Sequence, residues 1–148
     1  MKITMHTLPP DDSCGTFAPA IAQQDYGQAS AYVVGLTGCD PNTVIVDVRM
    51  IHDVRKDVAA IPMRGPLPQI WPMITGYQAQ GYGAFININE MDGIGRGLAN
   101  VRAIRAHAVD LDNASALQNY QRAAEWSPPP SFAAATSSGK LHFYWIVQ

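Results

Sequence analysis

The sequence predicts an α+β fold in which an antiparallel or mixed sheet carries helices packed on one face. Residues Thr43 to Ile51 are rich in β-branched side chains, which are favoured in strands. Residues Lys140 to Val147 alternate between two faces with a period of two residues, which indicates a second strand. Between these strands, Leu67, Ile70 and Ile74 recur at helical spacing and mark the apolar stripe of a helix. Such a stripe is buried when the helix packs on a sheet.

The composition fits one globular domain without a strong attraction for any class of partner. The chain has 148 residues, of which 47% are hydrophobic, and a formal net charge of −2. Such a length suffices for one core, and the small net charge confines any nucleic-acid contact to local patches. Cys14 and Cys39 lack metal or redox spacing and no export signal is visible, so we expect reduced thiols in a cytoplasm, with a pairing between them left open. No apolar run approaches the length of a membrane span, so no membrane partner is expected.

The chain divides into two regions that differ in their predicted secondary structure. Residues 1–42 contain several prolines and turn formers, which predict an irregular N-terminal arm with one short strand at Ala31 to Leu36. Residues 43–148 contain the other predicted elements. These are strands at Thr43 to Ile51, Ala84 to Asn89, Val101 to Asp112, Ser131 to Ala135 and Lys140 to Val147, and helices from Arg64 to Gln80 and from Asn113 to Ala124.

Two polar patterns precede the central strand. Asp47 and Arg49 share one strand face, where an ion pair of little energetic weight is the preferred interpretation. The loop from Glu90 to Gly97 contains three glycines, which could let backbone N–H groups and Arg96 approach an anion. An ordinary flexible hairpin explains the same glycines, because no lysine follows them.

The strand from Val101 to Asp112 is the centre of the predicted site. Strand periodicity places Asp110 and Asp112 on one face. Carboxylates at this spacing lie about 6–7 Å apart along the backbone. They can therefore converge on Mg²⁺ or Mn²⁺, which in turn binds phosphate. The alternative is that Asp112 begins the following helix and that Asp110 is a solvated strand end.

The last strand presents two different faces. Lys140, His142 and Tyr144 lie on one face and offer a cation, an imidazole and a phenol. The other face is predicted to be core. There we expect Phe143 and Trp145 to be buried together with Val109, Leu111, Ile70, Trp71 and Ile74.

Two segments together carry a resemblance to a known family. The first is G-I-G-R-G-L-A-N-V-R-A-I-R-A-H-A-V-D-L-D, and the second, after a predicted helix, is P-P-P-S-F-A-A-A-T-S-S-G-K-L-H-F-Y-W. Residues 43–148 resemble the front part of the archaeo-eukaryotic primase (primase-polymerase) catalytic domain, in its RepB-like branch of phages and plasmids. The resemblance implies an RRM-like sheet, present here as a partial catalytic domain.

The family resemblance also implies roles for individual residues. Asp110 and Asp112 match the metal motif, which holds Mg²⁺ or Mn²⁺ in a two-metal site, and His142 matches the motif that binds nucleotide phosphates. Further substrate contacts are expected from the neighbouring polar side chains. These are Ser138, Lys140, Tyr144, Arg96, Arg102 and Arg105.

The implied function is nucleotidyl transfer from nucleoside triphosphates on single-stranded DNA, as a DNA primase or primase-polymerase module in the cytoplasm of a bacterial host, encoded there or by a phage. A replicative helicase is a further expected partner. The family uses a third acidic motif on a later strand, and the given sequence reaches Gln148 without it, so an incomplete site is expected. The alternative is a non-catalytic primase-like module that binds nucleotide or DNA and serves or inhibits replication. A third reading, another Asp-x-Asp phosphotransferase or glycosyltransferase, fits the last strand poorly.

Overall fold

The computed structural model describes residues 25–111, 116–137 and 140–147, and these residues form an α+β fold built from antiparallel sheets, as the sequence predicts. The helices are α1 (Tyr26–Thr37), α2 (Leu67–Gln78) and α3 (Ala116–Ala124), with a short 3₁₀ turn at Leu98–Asn100. The strands are β1 (Val46–His52), β2 (Ile61–Gly65), β3 (Tyr82–Ile86), β4 (Glu90–Met91), β5 (Val101–Ala103), β6 (Ala106–Leu111), β7 (Phe132–Ser137) and β8 (Lys140–Ile146).

Three sheets organise these strands, in the orders β2-β1-β3, β4-β5 and β6-β8-β7. Every pairing is antiparallel. In the third sheet β8 lies between β6 and β7 and is antiparallel to both, so β6 and β7 run in the same direction. Because α3 lies between β6 and β7 in the chain, this sheet is a split β-α-β unit with β8 inserted at its centre.

Helix α1 replaces the short strand that the sequence suggested. The Asp25 side chain caps its start by accepting a hydrogen bond from the N–H of Gln28 at 3.1 Å. Gly38 ends it with a left-handed φ of 65° and donates its N–H to the carbonyl of Val34 at 2.8 Å. The predicted strand at Ala31 to Leu36 is therefore wrong, and this part of residues 1–42 is a capped helix rather than an irregular arm.

Helix α1 is shared by two hydrophobic cores. On one side Val33 is buried in the core of the first sheet, together with side chains of β1 and α2. On the other side Tyr32 and Leu36 are buried against Tyr144 and its neighbours in the third sheet. Helix α1, which lies before position 43 in the chain, thus packs in the same cores as the sheets that follow.

The first sheet matches its prediction in β1 and in the core face of α2, but β2 was not predicted, and it includes Arg64 and Gly65, which were expected to begin the helix. Val46, Val48 and Met50 of β1 are buried, and Ile70 and Ile74 of α2 pack in the same core. The apolar stripe at helical spacing is therefore core, as expected.

The ion pair predicted within β1 forms with a different partner. Asp47 accepts two hydrogen bonds from Nη1 of Arg64 on β2, at 2.6 and 2.7 Å, instead of pairing with Arg49. Arg64 also donates to the carbonyl of Met91 at 3.2 Å, so this guanidinium joins the first sheet to β4. The pair is cross-strand because Asp47 and Arg64 are register partners.

The long strand predicted from Val101 to Asp112 is two strands. Its first part pairs with β4 and its second part pairs with β8, and the break falls at Ile104 and Arg105. There the N–H of Arg105 donates to Oδ1 of Asn89 at 3.2 Å. This side-chain acceptor satisfies the backbone where the chain leaves one sheet for the next. Asp112 itself lies outside the described residues.

Helices pack on both faces of the third sheet, contrary to the expectation of helices on one face. Phe143 and Leu141 are buried beside Ala123 of α3 on one face, whereas Tyr144 is buried beside α1 on the other. Trp145 is only half-buried and Val109 is exposed. The single predicted core is therefore wrong. Its members are divided, with Ile70, Trp71 and Ile74 in the first core and Leu111, Phe143 and Trp145 around α3.

The helices of the described residues are too short or too polar to cross a lipid bilayer.

We expect Phe143→Ala to lower the free energy of unfolding by about 3–5 kcal/mol, as in other large-to-small core substitutions. Phe143 has no exposed surface, and its ring packs edge-on to Trp126 with ring centres 5.6 Å apart. Trp145→Ala should cost less, because part of that indole already contacts water. Urea denaturation of both variants provides the measurement, and an equal or larger loss in Trp145→Ala would contradict the assigned packing.

Candidate functional site

The candidate site lies where β6 and β8 run side by side. Asp110 and His142 are direct register partners, so their side chains share one face of the sheet. Nε2 of His142 lies 3.1 Å from Oδ1 of Asp110. The two side chains are 24% and 54% exposed, respectively, so the pair is open to a ligand. The prediction that these two residues share a face of neighbouring strands is confirmed.

Packing along β6 determines which end of this face is open. Ala106, at the start of the strand, is 5% exposed because it packs in the core that α1 covers. Near the other end, Nδ2 of the buried Asn119 on α3 donates to the carbonyl of Leu111 at 3.0 Å. Helix α3 thus anchors the end of β6 from behind, and Asp110 projects on the open side.

Tyr144 is buried and contacts His142 from the interior of the protein, so its hydroxyl is not accessible to a ligand. It is 1% exposed, and its hydroxyl lies 3.3 Å from Nδ1 of His142. The hydroxyl of Tyr32 donates to the same oxygen at 3.1 Å. The expectation that Tyr144 contacts substrate is therefore wrong, because α1 covers the phenol that strand periodicity placed on the site face.

The two phenols are held in their neutral forms. Burial, with contributions from Tyr144, raises the pKa of Tyr32 far above its ordinary value. Burial also raises the pKa of Tyr144, opposed by the hydrogen bond from Tyr32 and reinforced by the negative charge of Asp110. Both hydroxyls consequently keep their protons over the physiological range.

The structure does not describe every residue of the predicted phosphate site. Asp112 and Ser138 lie outside the described residues. Lys140 is described and exposed at the start of β8, two residues before His142 on the same strand face. The cation is therefore on the same side of the sheet as the Asp110–His142 pair.

The three arginines suggested as substrate contacts lie in different surroundings. Arg96 is exposed in the loop after β4, and Arg102 is exposed on β5. Arg105 is largely buried and its guanidinium lies 3.5 Å from Glu90. No described contact brings any of them to Asp110 or His142, so a role for these arginines at the site stays a prediction.

The glycine-containing loop after β4 uses its own N–H groups internally. Oδ1 of Asp92 accepts from the N–H of Ile94 at 2.8 Å and of Gly95 at 3.3 Å, while Asn100 accepts from Gly97 at 3.2 Å. The hydrogen bond from the Asn100 side chain, followed by that from Ile94, lowers the pKa of Asp92. An anion would have to compete with a carboxylate for these donors, which favours the ordinary-loop interpretation.

The donor set suits a metal ion only in part. A carboxylate such as Asp110 is a ligand that Mg²⁺ and Mn²⁺ prefer, whereas an imidazole is a weaker choice for Mg²⁺. Within residues 25–111, 116–137 and 140–147, no group of three or more His, Cys, Asp or Glu side chains could hold a metal ion. The described part of the site thus offers one oxygen ligand and an adjacent hydrogen-bond donor.

Sequence reasoning missed an aromatic cleft on the opposite face of the same strands. Trp126 and Trp145 lie with ring centres 5.4 Å apart and planes tilted by 32°, and the Nε1 proton of Trp145 is donated to the carbonyl of Pro128 at 2.9 Å. The cleft has a volume of about 530 Å³ and is lined by His107, Val109, Trp126, Ser127, Pro128 and Trp145. The available signal was strand periodicity, which places His107 and Val109 on one face of β6. The cleft was missed because Trp145, the register partner of His107, was predicted to be buried in the core.

Comparison with known proteins identifies no relative: no protein-family model, curated protein or solved structure matches the chain. Family and function therefore rest on the residues and on their geometry.

We expect stability to fall as the pH rises above about 10, the ordinary pKa of tyrosine. The folded-state pKa values of Tyr32 and Tyr144 are raised, so their contribution is complete below the unfolded pKa and is lost as the pH rises beyond it. Each tyrosine that ionises only on unfolding adds a slope of about 1.4 kcal/mol per pH unit.

Denaturation of wild type, Tyr32→Phe and Tyr26→Phe at a series of alkaline pH values tests this dependence. Tyr32→Phe should flatten it, whereas Tyr26→Phe, at a half-exposed ring, should leave it unchanged. The same slope in all three proteins would contradict the burial of the Tyr32 hydroxyl.

Proposed function

We propose that this protein is a primase-like nucleotidyltransferase module that binds a nucleoside triphosphate with Mg²⁺ or Mn²⁺ at Asp110 and His142. One observation carries the proposal, the contact of 3.1 Å between these side chains on neighbouring strands. In the archaeo-eukaryotic primases that the sequence resembles, an acidic metal motif and a phosphate-binding histidine serve one site. Side chains 3.1 Å apart can serve one ligand together.

The sheet topology supports the same proposal. An RRM-type domain is built as β-α-β-β-α-β, with split β-α-β units in one antiparallel sheet. The succession β6-α3-β7-β8, in the spatial order β6-β8-β7, has the same order as the first four of those six elements. We propose that residues 106–146 form the RRM-like part of the domain, with Asp110 and His142 on its two adjacent strands.

Each residue has a distinct proposed task. Asp110, with Asp112 as the second carboxylate of the motif, would hold the metal ions through hard oxygen ligands. His142 would donate a hydrogen bond to a triphosphate oxygen, and Lys140 and Ser138 would add charge and a hydroxyl. Bound metal ions would supply activation of the attacking 3′-oxygen and stabilisation of the leaving pyrophosphate.

Asp110→Asn should weaken binding of Mn²⁺, because it keeps the size of the side chain and an acceptor for His142 but removes the charge. His142→Ala should lower the affinity for nucleoside triphosphate about tenfold or more, since a hydrogen bond to a charged group contributes about 1.5–3 kcal/mol. It should change the affinity for bare Mn²⁺ far less. Calorimetric titration of each protein with Mn²⁺, and with Mn²⁺ plus nucleotide, gives both quantities.

His107→Ala is the matched control for this experiment. His107 lies on β6, the strand that also carries Asp110, but its side chain points to the opposite face of the sheet, where it lines the aromatic cleft. It should bind Mn²⁺ and nucleotide as the wild type does. Equal losses in His107→Ala and His142→Ala, or full Mn²⁺ affinity in Asp110→Asn, would refute the assigned site.

The aromatic cleft favours a second candidate function, a non-catalytic primase-like module that binds single-stranded DNA. Trp126 and Trp145 present indole surfaces, and bases stack on such side chains with little dependence on sequence. His107 and Ser127 add hydrogen-bonding groups at the margin of the cleft. With a net charge of −2, the chain offers no general attraction for DNA, so stacking would have to supply much of the affinity.

Trp145→Ala should weaken binding of a short oligodeoxynucleotide about tenfold, because stacking of a base on an aromatic side chain contributes about 1–3 kcal/mol. Trp71 lies on α2 in the other core, so Trp71→Phe leaves the cleft intact and makes its tryptophans the sole source of indole fluorescence. In that background, DNA should quench the fluorescence.

Undiminished affinity in Trp145→Ala would exclude the cleft as a DNA site. DNA binding without nucleotide or metal binding at Asp110 would favour the non-catalytic function over the first proposal.

A further inference from the structure

A continuous series of hydrogen bonds leads from the interior of the protein to the candidate site. Tyr32 donates to Tyr144 at 3.1 Å, the Tyr144 hydroxyl lies 3.3 Å from Nδ1 of His142, and Nε2 of His142 lies 3.1 Å from Asp110. We infer that Tyr144, supported by Tyr32, is a positioning residue that fixes the Nε2–H tautomer of His142 and directs this N–H toward the ligand. The inference rests on the proposed function only for the identity of that ligand, a triphosphate oxygen.

The direction of the donors follows from the chemistry of the groups. The Tyr32 hydroxyl has one proton and donates it to the oxygen of Tyr144. The Tyr144 hydroxyl is left to donate its own proton, and Nδ1 of His142 is within reach as an acceptor. A neutral imidazole that accepts at Nδ1 carries its proton on Nε2, and this N–H then donates to the Asp110 carboxylate.

The packing of the rings keeps the two phenols in place. The Tyr144 ring stacks on Phe132 with centres 4.6 Å apart and an interplanar angle of 10°. The Tyr32 ring meets both rings edge-on, at 5.9 Å from Phe132 and 5.7 Å from Tyr144. Both tyrosines are only 1% exposed, so water cannot readily replace either hydroxyl as a partner.

The arrangement gives the helix before residue 43 a role at the site. Tyr32 belongs to α1, outside the segment that resembles a primase, yet it supplies the first donor of the series. The imidazole is held from the protein side at Nδ1 and remains free to exchange partners at Nε2. A phosphate oxygen that replaces Asp110 as the acceptor would therefore meet an N–H that is already oriented.

The test is the tautomer of His142, measured in the full chain labelled with ¹⁵N-histidine. Long-range ¹H–¹⁵N correlation spectra at about pH 8.5, two units above the ordinary histidine pKa, report which ring nitrogen carries the proton. Wild type should show Nε2–H. Because the Asp110 carboxylate also favours a proton on Nε2, the contribution of Tyr144 is measured in Asp110→Ala, where Nε2–H should still predominate and where adding Tyr144→Phe should raise the Nδ1–H fraction. Tyr144→Phe alone should lower nucleotide affinity severalfold. Tyr32→Phe should have a smaller effect on both, because Tyr144 keeps a proton to donate.

Tyr77→Phe is the matched control, since Tyr77 packs in the core of the first sheet. It should leave the His142 signals and nucleotide affinity unchanged. A predominant Nδ1–H form in the wild type, or an Nδ1–H fraction that does not change when Tyr144→Phe is added to folded Asp110→Ala, would overturn the inference. If Tyr144→Phe does not fold, a predominant Nδ1–H form in the wild type or in Asp110→Ala still overturns the inference.

The tautomer is read in the protein without nucleotide, so the two proposals fail separately. An Nε2–H preference that weakens when Tyr144→Phe is added to Asp110→Ala supports the positioning role even if no nucleotide binds, in which case the proposed function fails. Nucleotide binding that needs His142 but not its tautomeric preference supports the proposed function and overturns the positioning role.

Discussion

The burial of α1 on two sides is the constraint on which both halves of the molecule depend. Val33 packs with the first sheet, whereas Tyr32 and Leu36, its neighbours on the helix, pack with the third. A helix can do this because residues one position apart are about 100° apart around its axis. The helix covers Tyr144 and the buried end of β6 while leaving Asp110 54% exposed, so its position determines where the site opens.

The elements that the sequence predicted correctly are those whose pattern is local. The alternating burial of β1 and the apolar stripe of α2 follow from side chains a few residues apart. Helix α1 was missed because its run of Ala31 to Leu36 has no polar face of its own, since neighbouring side chains are buried against different sheets. Its cap at Asp25 and its end at Gly38 were the available local signals.

The site was predictable as far as strand periodicity reaches. Parity placed Asp110 and His142 on corresponding faces, and their contact needed only the assumption that the two strands are neighbours. The break at Arg105 depends on an acceptor from Asn89, and the burial of Tyr144 depends on Tyr32, 112 residues away in the chain. The sequence pattern around a residue does not show which distant residues contact it. The strand from Val101 was therefore predicted to be too long, and the Tyr144 hydroxyl was predicted to be exposed.

The energies of the hydrogen bonds indicate which parts of the site can rearrange. The Asp110–His142 pair is partly exposed, and pairs in such surroundings contribute about 0–1 kcal/mol. The hydroxyls of Tyr32 and Tyr144 are buried, and an unsatisfied group there costs about 1–3 kcal/mol. If a metal ion bound the Asp110 carboxylate and a phosphate oxygen bound Nε2 of His142, as proposed, they would replace only the weaker contact, which is the Asp110–His142 pair. The site would therefore exchange its outer pair while the buried phenols continue to hold the imidazole.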